Sequence, residues 1–197
     1  KKYPDFDFDF NPQQTVYMVD TAGAFISADE GPYLLYRRGR NAGRRVVKYL
    51  DEENVTHLIT TASEYLISQV KDSGRFIYGW HPCFGREIRF YNTLRHASTV
   101  YSMVEAWEVT RSPQLKAAID KALQYLLSTY VKYAETPDGQ KKAYLVEEGF
   151  QEIKLGANGV LLLALTKYTQ VFDDKSYLPV AEALALGIQV MQDPETD

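Results

Sequence analysis

The chain has 197 residues, 45% of them hydrophobic, which is enough to bury a substantial core. Its net charge of −4 argues against a nucleic-acid backbone as partner, because phosphate binding needs a basic face. A single cysteine, Cys83, excludes an intramolecular disulfide and a Cys-rich metal site, and no apolar run is long and charge-free enough to span a bilayer.

The first fifty residues read as a β-rich lead-in. Phe6-Asp7-Phe8-Asp9-Phe10 alternates apolar and acidic with period two, as a strand with one buried face does. Val16 to Val19 and Tyr33 to Tyr36 are further strand candidates, separated by Gly23 and the Asp29-Glu30-Gly31-Pro32 turn. Arg37, Arg38, Arg40, Arg44 and Arg45 form a basic cluster that reads as solvated or ion-paired surface. The chain opens on Lys1, not Met, and shows no signal peptide, so it reads as a piece of something longer.

Helical periodicity takes over from residue 51 to 197. Val55, Leu58, Ile59, Ala62, Leu66 and Val70 lie on one stripe and predict a helix with one wet face. Asp72-Ser73-Gly74 ends it, and Phe76 to Trp80 follows as a short strand or extended loop. A second helix is predicted from the N-cap Asn92 to about Val109, apolar on most sides, and Ser112-Pro113 opens a third with a clean stripe from Leu115 to Tyr130. Pro137-Asp138-Gly139 turns the chain again, Ala143 to Val146 is extended, and a helix opens near Gly156 to Asn158. Val160 to Leu165 is apolar all round, which predicts a central helix surrounded by others. A last helix with one wet face is predicted from about Ser176 to Gln192.

These elements repeat. Asp72 recurs at Asp138, Tyr78 at Tyr144, Asn92 at Asn158 and Pro113 at Pro179, each pair 66 positions apart. A fixed period of this kind predicts stacked helix pairs with inner and outer helices alternating.

Polar residues of an inner helix gather at the end that opens on a cavity. The start of the second helix is the densest such place, with Tyr91, Asn92, Arg95 and His96 after Trp80, His81, Cys83 and Arg86. The corresponding loop of the second copy brings Glu147, Glu148, Glu152, Lys154 and Asn158 to the same end if the copies stack in parallel. His96 is the candidate general acid or base, and Arg95 is suited to clamp a carboxylate. Their plainer reading is structural, with Arg95 on loop carbonyls and His96 in the first turn. Glu147 is the second catalytic candidate, with Asp72, Glu87 or a residue outside this chain as partner carboxylate, against a solvated Glu-Glu-Gly turn. Tyr is unusually frequent at 15 residues, and tyrosine suits both sugar rings and half-buried packing. Tyr78, Trp80, His81, Tyr91, Asn92, Arg95, Tyr144 and Asn158 are therefore the candidate binding residues. No metal-ligand spacing and no nucleotide-binding glycine loop occurs, so neither metal nor cofactor is expected.

The stretch Tyr91-Asn92-Thr93-Leu94-Arg95-His96-Ala97, with Asp72-x-Gly74-x-Phe76-x-Tyr78 before it and Leu155-Gly156-Ala157-Asn158 after the next turn, resembles the helical toroids of carbohydrate-active proteins. That α/α-barrel group includes six-hairpin glycosidases, polysaccharide lyases and the glucuronyl epimerase catalytic domain. The resemblance implies a mostly α fold of alternating inner and outer helix hairpins. It places a glycan cleft at the loops entering the inner helices and implies a polysaccharide ligand, with uronic-acid polymers among the candidates. A closed toroid needs more hairpins than the two copies and leading helix here. The implied module is a partial toroid, and its open helical faces favour self-association. The competing expectation is a non-catalytic helical-repeat scaffold that presents the same rim to a protein partner.

Overall fold

The computed structural model describes residues 11–29, 31–47, 49–147, 149 and 152–192. The chain divides into two compact units, Lys1–Leu50 and Asp51–Asp197. It is mostly α, with small two-stranded antiparallel sheets among the described residues.

In the first unit, β1 (Ala24–Phe25) pairs antiparallel with β2 (Tyr33–Leu34), and Leu35 bridges to Arg45. Val16 to Val19, expected as a strand, has no regular secondary structure and no strand partner among the described residues, and its side chains lie exposed. The Phe6–Phe10 segment falls outside the described residues. The arginine cluster is partly committed: Arg38 pairs with Asp20, Arg37 donates to the Thr21 carbonyl, and the Arg45 guanidinium sits 3.6 Å over the Tyr33 ring.

The second unit is built from five helices: α1 (Glu52–Gln69), α2 (Thr93–Thr110), α3 (Pro113–Tyr130), α4 (Leu155–Phe172) and α5 (Leu178–Met191). The first three begin at side-chain caps. The Asp51 carboxylate accepts from the Asn54 N–H, the Asn92 amide oxygen from the Arg95 N–H and the Ser112 hydroxyl from the Leu115 N–H. Pro113 occupies the first turn of α3, where its missing N–H would have had no partner. Between the helices lie hairpin β3 (Trp80–His81) with β4 (Arg86–Glu87), and hairpin β5 (Val131–Glu135) with β6 (Lys141–Leu145).

α2 and α4 pack side by side as the inner helices, α3 backs α2, α5 backs α4 and β6, and α1 leans on α2 and α3. Val100, Met103 and Val104 of α2 are fully buried with Leu115, Ile119, Leu123 and Leu126 of α3, Leu161 and Leu165 of α4 and Leu184 of α5. Each such side chain contributes about 1.5–3 kcal/mol on burial. α1 is more weakly held: Leu66 and Ile59 are half-buried, Leu58 and Ala62 are exposed, and the fully enclosed residue is Ser63, whose hydroxyl donates to the Ile59 carbonyl.

The repeat is real but not uniform. The inner helices, each of 18 residues, start at Thr93 and Leu155, 62 positions apart, and end at left-handed C-caps Arg111 (φ 50) and Asp173 (φ 52), again 62 apart. The second copy has a shorter chain segment between its turn and its inner helix, 16 positions from Gly139 to Leu155 against 19 from Gly74 to Thr93. It recovers most of the register in a five-residue link, 173–177, where the first copy uses Arg111 and Ser112. Asn92 and Asn158, matched at 66 positions, are therefore not equivalent: Asn92 caps α2, whereas Asn158 is the fourth residue of α4 and stands where His96 stands in α2. α4 is also not surrounded, as its all-round apolarity predicted. α2 and α5 cover it on one side, and Leu155 and Leu163 remain 61% and 56% exposed. The counterpart of Leu155 on α2, Thr93, is fully buried beside the second copy.

Gly74 permits the first copy's turn to touch α3. Its φ is +89°, and a Cβ there would fall 2.2 Å from the Lys121 carbonyl oxygen and 2.7 Å from Tyr125 Cβ. Gly139, in the corresponding turn, has φ +83° and open space around it. Gly139→Ala is thus expected to cost about 1 kcal/mol of backbone strain, and Gly74→Ala about 3 kcal/mol or more, because a clash with main chain adds to it. Urea unfolding of both variants checks this, and equal losses would refute the close approach.

Candidate functional site

A cleft of about 180 Å³ opens between α1, the extended segment after Gly74 and the N-terminus of α2. It is lined by Tyr65, Leu66 and Gln69 from α1, by Phe76, Ile77 and Tyr78, and by Tyr91, Asn92, Arg95, His96 and Thr99. The α2 cap sets its floor. With Asn92 holding the Arg95 N–H, the Arg95 side chain leaves the helix on the exposed side, where its guanidinium lies 5.3 Å from the Tyr78 ring centre. Tyr78 meets Phe90 edge-on at 5.4 Å, and the Arg75 guanidinium covers the Tyr91 ring at 4.3 Å. Arg95 and Tyr78 thus keep a flat apolar surface and a strong donor together in the cleft, whereas the Tyr91 ring is buried between Arg75 and Tyr130.

Tyr78, Tyr91, Asn92, Arg95 and His96 are thus brought together as the sequence suggested. The others lie elsewhere. Trp80, 55% exposed, and His81 stand on the β3–β4 hairpin, outside the cleft lining. Tyr144 of β6 is half-buried with its ring against Gly187 of α5, and the Lys142 ammonium lies 5.8 Å from it. Asn158 is buried: its amide oxygen accepts from the Leu145 N–H at 2.7 Å, and its nitrogen donates to the Leu145 and Lys154 carbonyls at 3.1 and 2.9 Å. All of its bonds are to main chain. Tyr65, Gln69 and Thr99 join the lining without having been singled out. Thr99 follows Arg95 by one helical turn, the spacing that could have marked it.

His96 sits at the back of the cleft with 2% of its surface exposed, and both ring nitrogens are engaged. Nε2 is 3.0 Å from the Ala122 carbonyl oxygen, which can only accept, so Nε2 carries the proton. Nδ1 is therefore the acceptor for the Tyr91 hydroxyl at 2.7 Å, and that hydroxyl accepts from the Phe76 N–H at 3.1 Å. The chain of bonds runs Phe76 N–H to Tyr91 to His96 to Ala122, tying the extended segment to α2 and α3. Phe76 and Tyr125 rings pack on the imidazole at 4.8 and 6.0 Å. Burial pushes the His96 pKa down to about 4, with the Ala122 carbonyl opposing it. The residue is neutral at pH 7.

Glu147 is 5% exposed and lies at the N-terminus of α2, not in the cleft. Oε2 accepts from the Thr93 N–H at 3.2 Å, and Oε1 is 3.8 Å from the Lys154 ammonium. A carboxylate there answers the free N–H groups and partial positive charge of the helix end. The second copy thereby caps the inner helix of the first. The other carboxylates considered are also committed or distant: Glu87 is bridged by Lys71 through both oxygens, and Asp72 is exposed on the turn. No carboxylate lines the cleft among the described residues, and no three His, Cys, Asp or Glu side chains come together as metal ligands there. Cys83 is exposed and free.

The His96 pKa carries a stability consequence. The unfolded chain takes up a proton near pH 6.5 and the native chain only near pH 4, so stability is complete above about pH 6.5 and falls as pH drops toward 4. The loss approaches about 3 kcal/mol by pH 4. Urea midpoints across pH 4 to 7 should therefore show a steeper acid decline for the wild type than for His96→Gln, and an unchanged slope would show that His96 titrates normally. Comparison with protein-family models, with curated proteins and with solved structures found no match to this chain.

Proposed function

We propose that this chain is a carbohydrate-active helical-hairpin protein of the α/α-toroid type, which holds one ring of a glycan in the cleft at the head of α2. The observation that carries the reading is the half-buried Tyr78 ring beside the Arg95 guanidinium and the Asn92 and Gln69 amides in one concavity, with the buried Tyr91 as its wall. Aromatic faces bind the apolar face of a sugar, and the amides and guanidinium bind its hydroxyls. At about 180 Å³ the cleft is smaller than the roughly 300–1,000 Å³ of sites that engulf a small molecule, which suits a single ring of a chain that continues into solvent.

Binding is better supported than catalysis. General acid–base work needs a group within reach of the reacting atoms and free to exchange a proton. The imidazole of His96 is buried with both nitrogens bonded, and Glu147 caps a helix outside the cleft. In this reading His96 and Glu147 hold the cleft in shape, while hydrolase, lyase or epimerase chemistry would need residues beyond those lining it.

The alternative, a helical-repeat scaffold for a protein partner, is favoured by one feature: the apolar edge of α4 and α5. Leu155 and Leu163 are exposed there, and Leu155, Ile188, Met191 and Gln192 line a shallow depression. The same edge would serve a second copy of the chain.

Thermal unfolding against neutral and uronic-acid oligosaccharides separates these readings. A rise in Tm is expected with at least one glycan, and Arg95→Ala should weaken binding about tenfold, in line with the loss of a cation–π and hydrogen-bonding group. Absence of any shift, together with Leu163→Glu altering self-association or partner capture, would move the function to the apolar edge.

A further inference from the structure

A second concavity adjoins the cleft, and its chemistry is different. The β3–β4 hairpin and the Lys71–Arg75 turn enclose a groove lined by Lys71, Arg75, Arg86, Glu87, Ile88 and Arg89. It continues past Arg86, Glu87 and Arg89 to His81. Four permanent cations face one carboxylate in a chain whose net charge is −4. That carboxylate is neutralised already: Lys71 Nζ lies 2.8 and 2.7 Å from the two Glu87 oxygens. Arg86 and Arg89 have no carboxylate within ion-pair distance among the described residues, and the Arg86 guanidinium rests 5.3 Å from the Phe84 ring.

Hairpin pairing fixes how these groups are presented. Trp80 is opposite Glu87 and His81 opposite Arg86, so each pair shares one face of the ribbon. The Ile88 N–H donates to the Gly79 carbonyl at 2.8 Å, and the Ile88 side chain packs where a Gly79 Cβ would stand, which holds β4 with Arg86, and the chain leading to Arg89, against its partner. Arg75 joins the two concavities, lining the groove while its guanidinium covers the Tyr91 ring of the cleft.

We propose that this groove is an anion subsite, and that the glycan bound in the neighbouring cleft is acidic, with its carboxylate or sulfate group held by Arg86 and Arg89. The inference rests on the glycan reading above and deepens it. Guanidinium forks match planar or tetrahedral oxyanions by paired hydrogen bonds, and like charges gathered around an already neutralised Glu87 leave a field that an anion relieves. Exposed Trp80 on the same hairpin offers a second ring a stacking surface.

The test is a calorimetric titration of the whole chain with four probes: a neutral cello-oligosaccharide, an oligogalacturonate and a sulfated oligosaccharide of the same length, and inorganic sulfate. Wild type, Arg95→Ala and the double variant Arg86→Gln/Arg89→Gln are compared at low and high salt. The expected result is that the oligogalacturonate binds at least tenfold more tightly than the neutral oligomer at low salt. That advantage should be lost in Arg86→Gln/Arg89→Gln and reduced by salt, while binding of the neutral oligomer changes only with Arg95→Ala. A sulfated oligosaccharide preferred over the oligogalacturonate would assign the anion as sulfate with the same arginines. Equal affinity for acidic and neutral oligomers, or an acidic preference untouched by the double variant, overturns the subsite and leaves the cleft reading standing. Sulfate binding with no response to either oligosaccharide overturns both, since the groove then holds a free anion and no glycan.

Discussion

A buried polar residue at the fourth position of each inner helix is the constraint around which the helical unit is organised. In α2 it is His96, in α4 Asn158, both 2% exposed. Each answers main-chain groups that the extended segment before its helix would otherwise bury without partners. Asn158 does so directly, bonding both the N–H and the carbonyl of Leu145. His96 does so at one remove, through the Tyr91 hydroxyl to the Phe76 N–H, and uses its other nitrogen on Ala122 of the outer helix. An unpartnered buried amide costs about 1–3 kcal/mol, so these side chains decide whether a strand can lie against the inner helix at all.

The same constraint explains why the most reactive residue types at the rim are poor candidates for proton transfer. A histidine used as a girder has to be neutral and in one tautomer; burial among Phe76, Tyr125 and Tyr91 enforces the first and the Ala122 carbonyl the second. A glutamate that caps a neighbouring helix has to stay in place, and the Thr93 N–H and the Lys154 ammonium hold Glu147 there. What remains exposed at the rim is Arg95, whose guanidinium lies 5.3 Å from the centre of the half-buried Tyr78 ring.

Much of this was legible in the sequence because it rests on periodicity and caps. Asn92 and Ser112-Pro113 open α2 and α3 as their chemistry requires, and the helices fall where the apolar stripes place them. Three features were not legible. The 66-residue match of Asn92 with Asn158 joined an N-cap to a mid-turn clamp, because a shorter entry loop and a longer helix link offset each other and return the flanking turns and outer helices to within one residue of the sequence match. The burial of His96 depends on Tyr91, Phe76 and Ala122 meeting in space, and no local pattern reports that. The all-round apolar α4 pointed to a surrounded helix, yet hydrophobicity says which surfaces would gain from cover and not whether cover is present, so Leu155 and Leu163 stay exposed.

The two copies share a frame and differ where function would be written. Between its turn strand and inner helix, the first copy carries the β3–β4 hairpin with Trp80, His81, Arg86 and Arg89, whereas the second returns to its helix by the shorter path through Glu147 and Lys154. That short path turns inward: Glu147, its buried carboxylate among the described residues, caps α2. The longer path turns outward and leaves its arginines beside the cleft. Helix packing needs only that each entry loop deliver a clamped strand and a capped helix, which both loops do. The additional residues of the first copy are therefore released from folding, and they are the ones that place cations and an exposed indole around the cavity.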